Sequence, residues 1–420
     1  MCETEKNGKG EYLTYRNIYN QFYLDQIRSV IYDIKTDENG DPILNEDGTP
    51  RYKYGNNNPD RAHDRFVEWW LDGAKGAGAA EQYYDWKGII ETVRRDNPGC
   101  LIFGTTKAEI DNTDERIFND YVNAGGVHWI GNEEGYAFST TWSKLDKGAP
   151  GYEDTKAYPR PGEYKSIEGH AGGDIWSVPE VNSKLLNSGW FWSESKEKSV
   201  LSVSRLGEKY FESVGYGGVM LLNVSPNTDG GLGSAQSSRL AEFGAALRGT
   251  FKIDLAKQSG ASAAADSVLG GDIAYSASRV LDDDASYWAP EQGRTTGSIE
   301  IDLGAVRLFD VVMRREYIPL GQRVTDFYIE YKTESGAWRE FGSGTTIGAK
   351  RLVRRAAVRG SAVRVNITGA YASPLISGVG VFKAAEAFEV SAPAARPAKD
   401  HGVILGMFLR IFDIPFAMHL

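Results

Sequence analysis

Tyr15, Ile18, Tyr19 and Phe22 recur at helical spacing, and Ile27, Val30 and Ile31 continue the stripe, which predicts an amphipathic helix ending before a polar insertion at 35–58. Inside that insertion, Asp37-Glu38-Asn39-Gly40-Asp41-Pro42 and Asn45-Glu46-Asp47-Gly48-Thr49-Pro50 flank Ile43 and Leu44, a pattern that predicts a hairpin. Further on, Trp86, Ile89, Ile90 and Val93 form an i, i+3, i+4, i+7 stripe, Asn97-Pro98-Gly99 stops it, and Cys100-Leu101-Ile102-Phe103-Gly104 reads as a strand. With the apolar run Val67-Glu68-Trp69-Trp70-Leu71 before this helix, the order is strand, helix, strand. Similar runs at Val127-His128-Trp129-Ile130 and Val219-Met220-Leu221-Leu222-Asn223-Val224 extend it, so residues 11–250 read as part of a parallel α/β barrel.

Near Phe251 the period changes. Ser298-Ile299-Glu300-Ile301-Asp302-Leu303-Gly304, Val311-Val312-Met313, Phe327-Tyr328-Ile329-Glu330-Tyr331 and Val363-Arg364-Val365-Asn366-Ile367 are short apolar runs between turn signals, which predicts an antiparallel β-sandwich. The expected fold class is therefore α/β, a partial (β/α)8-type barrel over 1–250, followed by an antiparallel β-sandwich over 251–388. Residues 389–420 read as a Pro- and Ala-containing linker and an apolar tail, in which Arg410 and Asp413 argue against a membrane span.

Composition narrows the chemistry. A chain of 420 residues, 41% hydrophobic and 12% aromatic, has material for two cores, and a net charge of −10 disfavours a nucleic-acid partner. A neutral ligand such as a sugar fits better, and the ten tryptophans offer flat faces for sugar rings, although core packing explains most of them. Two cysteines, Cys2 and Cys100, are too few for a disulfide framework and lack metal-ligand spacing. The opening Met1-Cys2-Glu3-Thr4-Glu5-Lys6 is polar and carries no export signal as it stands.

Two acids stand where chemistry is expected. Asp72 follows the strand ending at Leu71 and precedes Gly73; Glu133 follows the strand ending at Ile130, between Gly131 and Gly135. Barrel enzymes carry their catalytic groups at the carboxyl ends of strands, and glycoside hydrolysis uses a pair of carboxyl groups, so the two acids suggest a glycosidase. Gly73-Ala74-Lys75-Gly76-Ala77-Gly78 is not a phosphate loop, because no Gly-Lys-Ser/Thr closes it and no helix opens directly from it. Asp37, Asn39 and Asp41 begin like a calcium loop, yet glycine comes too early and Gly48 stands in place of the closing glutamate. Asp282-Asp283-Asp284 fits a solvated turn better than a calcium site. The sequons at Asn223 and Asn366 fall in strand-like runs, which disfavours glycosylation.

Trp70-Leu71-Asp72-Gly73-Ala74, Tyr84-Asp85-Trp86, Gly131-Asn132-Glu133-Glu134-Gly135-Tyr136, Trp176 with Pro179-Glu180-Val181, Gly189-Trp190-Phe191-Trp192, and Ser213-Val214-Gly215 leading to Leu221-Leu222-Asn223-Val224-Ser225-Pro226 occur in order. Together they resemble the α-L-fucosidases of glycoside hydrolase family 29, in particular the subgroup preferring α-1,3 and α-1,4 linkages. Residues 251–385, with Leu281 to Asp284, Tyr287-Trp288, Glu316-Tyr317-Ile318, Gly321-Gln322-Arg323-Val324 and Trp338, resemble the discoidin-like sandwich appended to many of these enzymes.

The resemblance implies an exo-acting, retaining hydrolysis of fucosylated glycans with no metal or organic cofactor. It makes Asp72 the nucleophile, Glu133 the general acid and base, and Trp70 and Trp190 part of the fucose pocket. His128 is a candidate substrate contact at a position where many relatives carry arginine; a structural role is the stronger expectation for it. The family implies an extracellular or periplasmic setting. This chain departs from the pattern in one respect: the family's early barrel strands supply several histidines, and none of the five histidines here falls in such a motif. The chain therefore reads as lacking the N-terminal part of the barrel, with a catalytically inert sugar-binding product as the alternative function.

Overall fold

The computed structural model of the chain describes residues 20–27, 35–46, 48, 51, 68–70, 86–96, 100–103, 126–130, 133–145, 168–173 and 175–391. Residues 20–27 are helical; Ile27 of the predicted stripe is buried, as is Leu24 outside it, whereas Phe22, a stripe position, is 59% exposed. The polar insertion forms the expected hairpin: Thr36 bridges Pro42, and the Asp37 carboxylate accepts the Asn39 and Asp41 backbone N–H groups at 2.9 and 3.0 Å. That carboxylate is thus committed to turning the chain.

The parallel part comprises β1 (Glu68–Trp70), α1 (Trp86–Asp96), β2 (Leu101–Phe103), β3 (Gly126–Trp129), β4 (Lys144–Leu145), β5 (Ile175–Lys184), α2 (Val203–Ser213), β6 (Val219–Asn223) and α3 (Ser234–Phe251). β1 pairs with β2, β3 with β5 and β5 with β6, all in parallel, and β2 lies beside β3. Two parallel groups, β1-β2 and β3-β5-β6, thus meet where β2 lies beside β3, while β4 pairs antiparallel to β5. α1 buries Ile89, Ile90 and Val93, the predicted face. α2 starts at Ser202, whose hydroxyl accepts the Arg205 N–H and satisfies one of the orphan donors of the first turn.

The second part is a six-stranded antiparallel sheet. β7 (Ser262–Ala265), β8 (Gly297–Glu316), β9 (Val324–Lys332), β10 (Trp338–Gly344), β11 (Arg351–Ala370) and β12 (Ile376–Phe382) take the order β10-β9-β11-β8-β12, with β7 also on β8. The runs Ser298–Gly304 and Val311–Met313, separate in sequence, are one continuous 20-residue strand. Gly304 makes this possible: its φ of +67° turns the strand, and a Cβ there would lie 2.7 Å from the Gly260 carbonyl carbon. β7 flanks the first half of β8 and β12 the second, so the sheet folds over a core of Trp288, Ile299, Ile301, Phe309, Ile329 and Val365.

The two parts share a third core. Leu185, Leu206, Phe211 and Phe243 from the parallel part pack against Val311, Leu352, Phe382 and Phe388 from the antiparallel part. The segment 139–145 also docks on the sandwich through hydrogen bonds. Buried Gln322 accepts the Ser143 N–H at 3.0 Å and donates to the Thr141 carbonyl at 2.8 Å, and Thr346 Oγ1 accepts the Thr141 N–H at 3.0 Å. Gln322→Ala leaves two buried backbone groups unpaired, so it is expected to cost about 2–4 kcal/mol of stability. Urea unfolding of the variant against the parent measures this.

Candidate active site

Glu133 sits at the carboxyl end of β3, just past buried Ile130. The chain bends there because Gly135 has φ +82° and presses on Ser183, where a Cβ would approach the side chain to 2.9 Å. Lys209, mostly buried on α2, donates to the Glu134 carbonyl, and burial lowers its pKa from the usual lysine value. Glu134 itself points to solvent. The bend therefore directs the two neighbouring acids differently, and it is Glu133 that meets Trp190: its Oε2 accepts the indole N–H at 3.1 Å.

Trp190 is held from three sides. Its carbonyl accepts from Asn223 Nδ2 at 2.9 Å and from the Ser225 hydroxyl, both at the carboxyl end of β6, while Lys184 Nζ lies 5.1 Å from its ring centroid. Next door, Trp192 donates to Glu197 at 2.6 Å, and Glu197 also accepts the Ala235 N–H at the start of α3. Phe191, between them, is 82% exposed. Residues from the carboxyl ends of β3, β5 and β6 thus converge around one carboxyl group.

A second group surrounds β1. Trp70, 37% exposed, donates its indole N–H to Glu180 Oε1 at 2.6 Å. Glu180, in the middle of β5, is fully buried; burial, then a hydrogen bond with Glu68, push its carboxyl up to about 9, against the opposing effect of the Trp70 N–H. Asp72, the expected nucleophile, lies outside the described residues, two positions beyond the end of β1. His128 is half-buried and its Nδ1 is 3.0 Å from Ser177 Oγ.

Sequence reasoning overlooked Glu180, Lys209 and Asn223 as anchors of this region. Asn223 registers in sequence only as a sequon, and Glu180 only as a motif letter. Asn366, the other sequon, lies in β11 and donates to Glu330. In the sandwich, Asp282 pairs with Arg279, Asp283 with Lys257, and Asp284 accepts the Ser286 N–H, as in an ordinary turn. Among the described residues no three His, Cys, Asp or Glu side chains cluster as metal ligands would, and no helix is long and apolar enough to cross a membrane.

Glu133 and Trp190 beyond the carboxyl ends of parallel strands, beside an antiparallel sandwich, fit the barrel-like fold class of the glycoside hydrolases. Residues 69–250 match the alpha-L-fucosidase family and residues 261–378 the F5/8 type C domain. A Ruminococcus gnavus GH29 fucosidase solved in complex with fucose is 33% identical, with a TM-score of 0.70 over 92% of this chain and 70% of that one. The chain belongs to the α-L-fucosidases of glycoside hydrolase family 29. Alpha-L-fucosidase 1 of Arabidopsis thaliana is 30% identical over 370 residues, 87% of this chain. A related protein of Oryza sativa subsp. japonica is 34% identical over 321 residues, 75% of this chain. The chain spans 62% and 56% of the lengths of these two relatives.

Proposed function

We propose that this chain is an exo-acting, retaining α-L-fucosidase that removes α-1,3- or α-1,4-linked fucose from glycans outside the cytoplasm. The observation that carries the reading is the hydrogen bond from Trp190 to Glu133, which joins two residues that the family motifs single out independently. An indole N–H can only donate, so Glu133 Oε2 serves as an acceptor and the proton of the acid form belongs on Oε1. In the proposed first step Asp72 attacks the anomeric carbon, the glycosidic C–O bond breaks, and the Glu133 proton passes to the leaving oxygen. In the second, Glu133 takes a proton from water, whose oxygen displaces Asp72 and frees fucose. The similarity to a fucosidase solved with fucose supports the choice of sugar.

The test is fucose release from a Lewis-type oligosaccharide by the full chain and by Asp72→Ala. Release by the parent and its loss in the variant, about 10⁴-fold or more as for removal of other catalytic nucleophiles, is the expected result. A folded parent that releases no fucose contradicts the proposal and favours a protein that only binds sugar.

A further inference from the structure

We propose that Glu180 is a positioning residue for the sugar pocket: its carboxyl joins Glu68 to Trp70 across the barrel interior and thereby holds the Trp70 indole. The inference rests on the fucosidase reading of the site. β1 and β5 belong to different sheets, with β2 and β3 between them, so the contact joins strands that do not pair. Glu180 Oε1 accepts from Trp70 Nε1 at 2.6 Å. Glu68 and Trp70, two positions apart on β1, share a face, and Glu180 Oε2 and Glu68 Oε1 are both shut off from solvent with no hydrogen-bond donor to either. Two charged carboxylates buried together without a donor would repel each other. One shared proton satisfies both oxygens and removes the repulsion.

Glu68, from β1, is the charged group acting on Glu180, and it favours the neutral form. Arg94 of α1 and Glu68 both act on the buried Cys100 thiol ahead of β2. A neutral carboxyl of this length is at once donor to Glu68 and acceptor from Trp70. Among the other side chains, glutamine matches both the length and this pairing.

The experiment compares the full chain with Glu180→Gln and Glu180→Leu. At neutral pH Glu180→Gln is expected to keep the parent kcat and KM, whereas Glu180→Leu raises KM about tenfold, the effect of about 1.4 kcal/mol lost from sugar contact. The parent should lose activity as pH rises through about 9, where Glu180 ionises against Glu68, and Glu180→Gln should move that limb upward. Infrared spectra supply a readout independent of activity: the carbonyl band of a buried carboxylic acid, present in the parent at neutral pH and missing from Glu180→Gln. Parent and Glu180→Gln spectra without that difference overturn the proposal, as does a Glu180→Gln enzyme as impaired as Glu180→Leu with its alkaline limb unmoved. A parent that shows the band but releases no fucose contradicts the fucosidase reading and leaves the proton bridge supported.

Discussion

Replacing Glu133 with glutamine is expected to lower kcat on a fucosylated oligosaccharide by about 10²–10⁴-fold, the usual contribution of a positioned general acid. The glutamine carbonyl can still accept the Trp190 N–H, so the bend at Glu133 and the loop around Trp190 keep their shape. What is lost is the proton for the leaving oxygen. A sugar alcohol leaves poorly without protonation, whereas a nitrophenolate does not need it. The deficit should therefore be much smaller on an aryl fucoside, and comparison of the two substrates measures the acid's share directly. Equal deficits on both would move the proton donor elsewhere, with solvent-facing Glu134 the first residue to examine.

The second large effect concerns the union of the two parts. Phe388 is 2% exposed although it follows the last strand of the sandwich, because its ring packs 6.0 Å from Phe211 and 6.1 Å from Phe243 on the helices of the parallel part. Phe388→Ala opens a cavity in the shared core and is expected to cost about 3–5 kcal/mol. The parent should unfold in one transition seen alike by fluorescence and circular dichroism. In the variant the two probes should separate as the parts uncouple. Independent melting of the two parts in the parent would contradict the shared core. Leu320→Ala is a suitable control, since Leu320 is 52% exposed and surface changes stay within about 0.5 kcal/mol.

Burial of Glu180 also gives stability a pH dependence of definite sign. Its folded-state pKa is raised from 4.5 to about 9, so the folded chain holds the proton more tightly than the unfolded chain. This stabilising contribution is complete below about 4.5 and is lost progressively as pH rises through about 9. The melting temperature should decline across that window less steeply in Glu180→Gln than in the parent.

Local periodicity was enough to read α1, because Ile89, Ile90 and Val93 fall on one face of an 11-residue helix, and the runs around Ile299, Ile329 and Val365 alternate as strands do. The motifs around Glu133 and Trp190 marked residues that do meet. What escaped the sequence depends on distant partners. Glu180 looks like an ordinary polar strand position until Glu68 and Trp70 reach it from β1. Gln322 looks like a turn residue until it clasps Thr141 and Ser143. The bend of β8 at Gly304 reads as a break between two strands, since a glycine can end a strand or curve it and only packing against Gly260 decides which.

The most direct test of the central claim is proton NMR of the sugar first released when the full chain acts on a branched α-1,3/4-fucosylated oligosaccharide. Double displacement through Asp72 and Glu133 should yield α-L-fucose before mutarotation brings in the β anomer. Initial appearance of β-L-fucose, or no fucose from a folded chain, would contradict it.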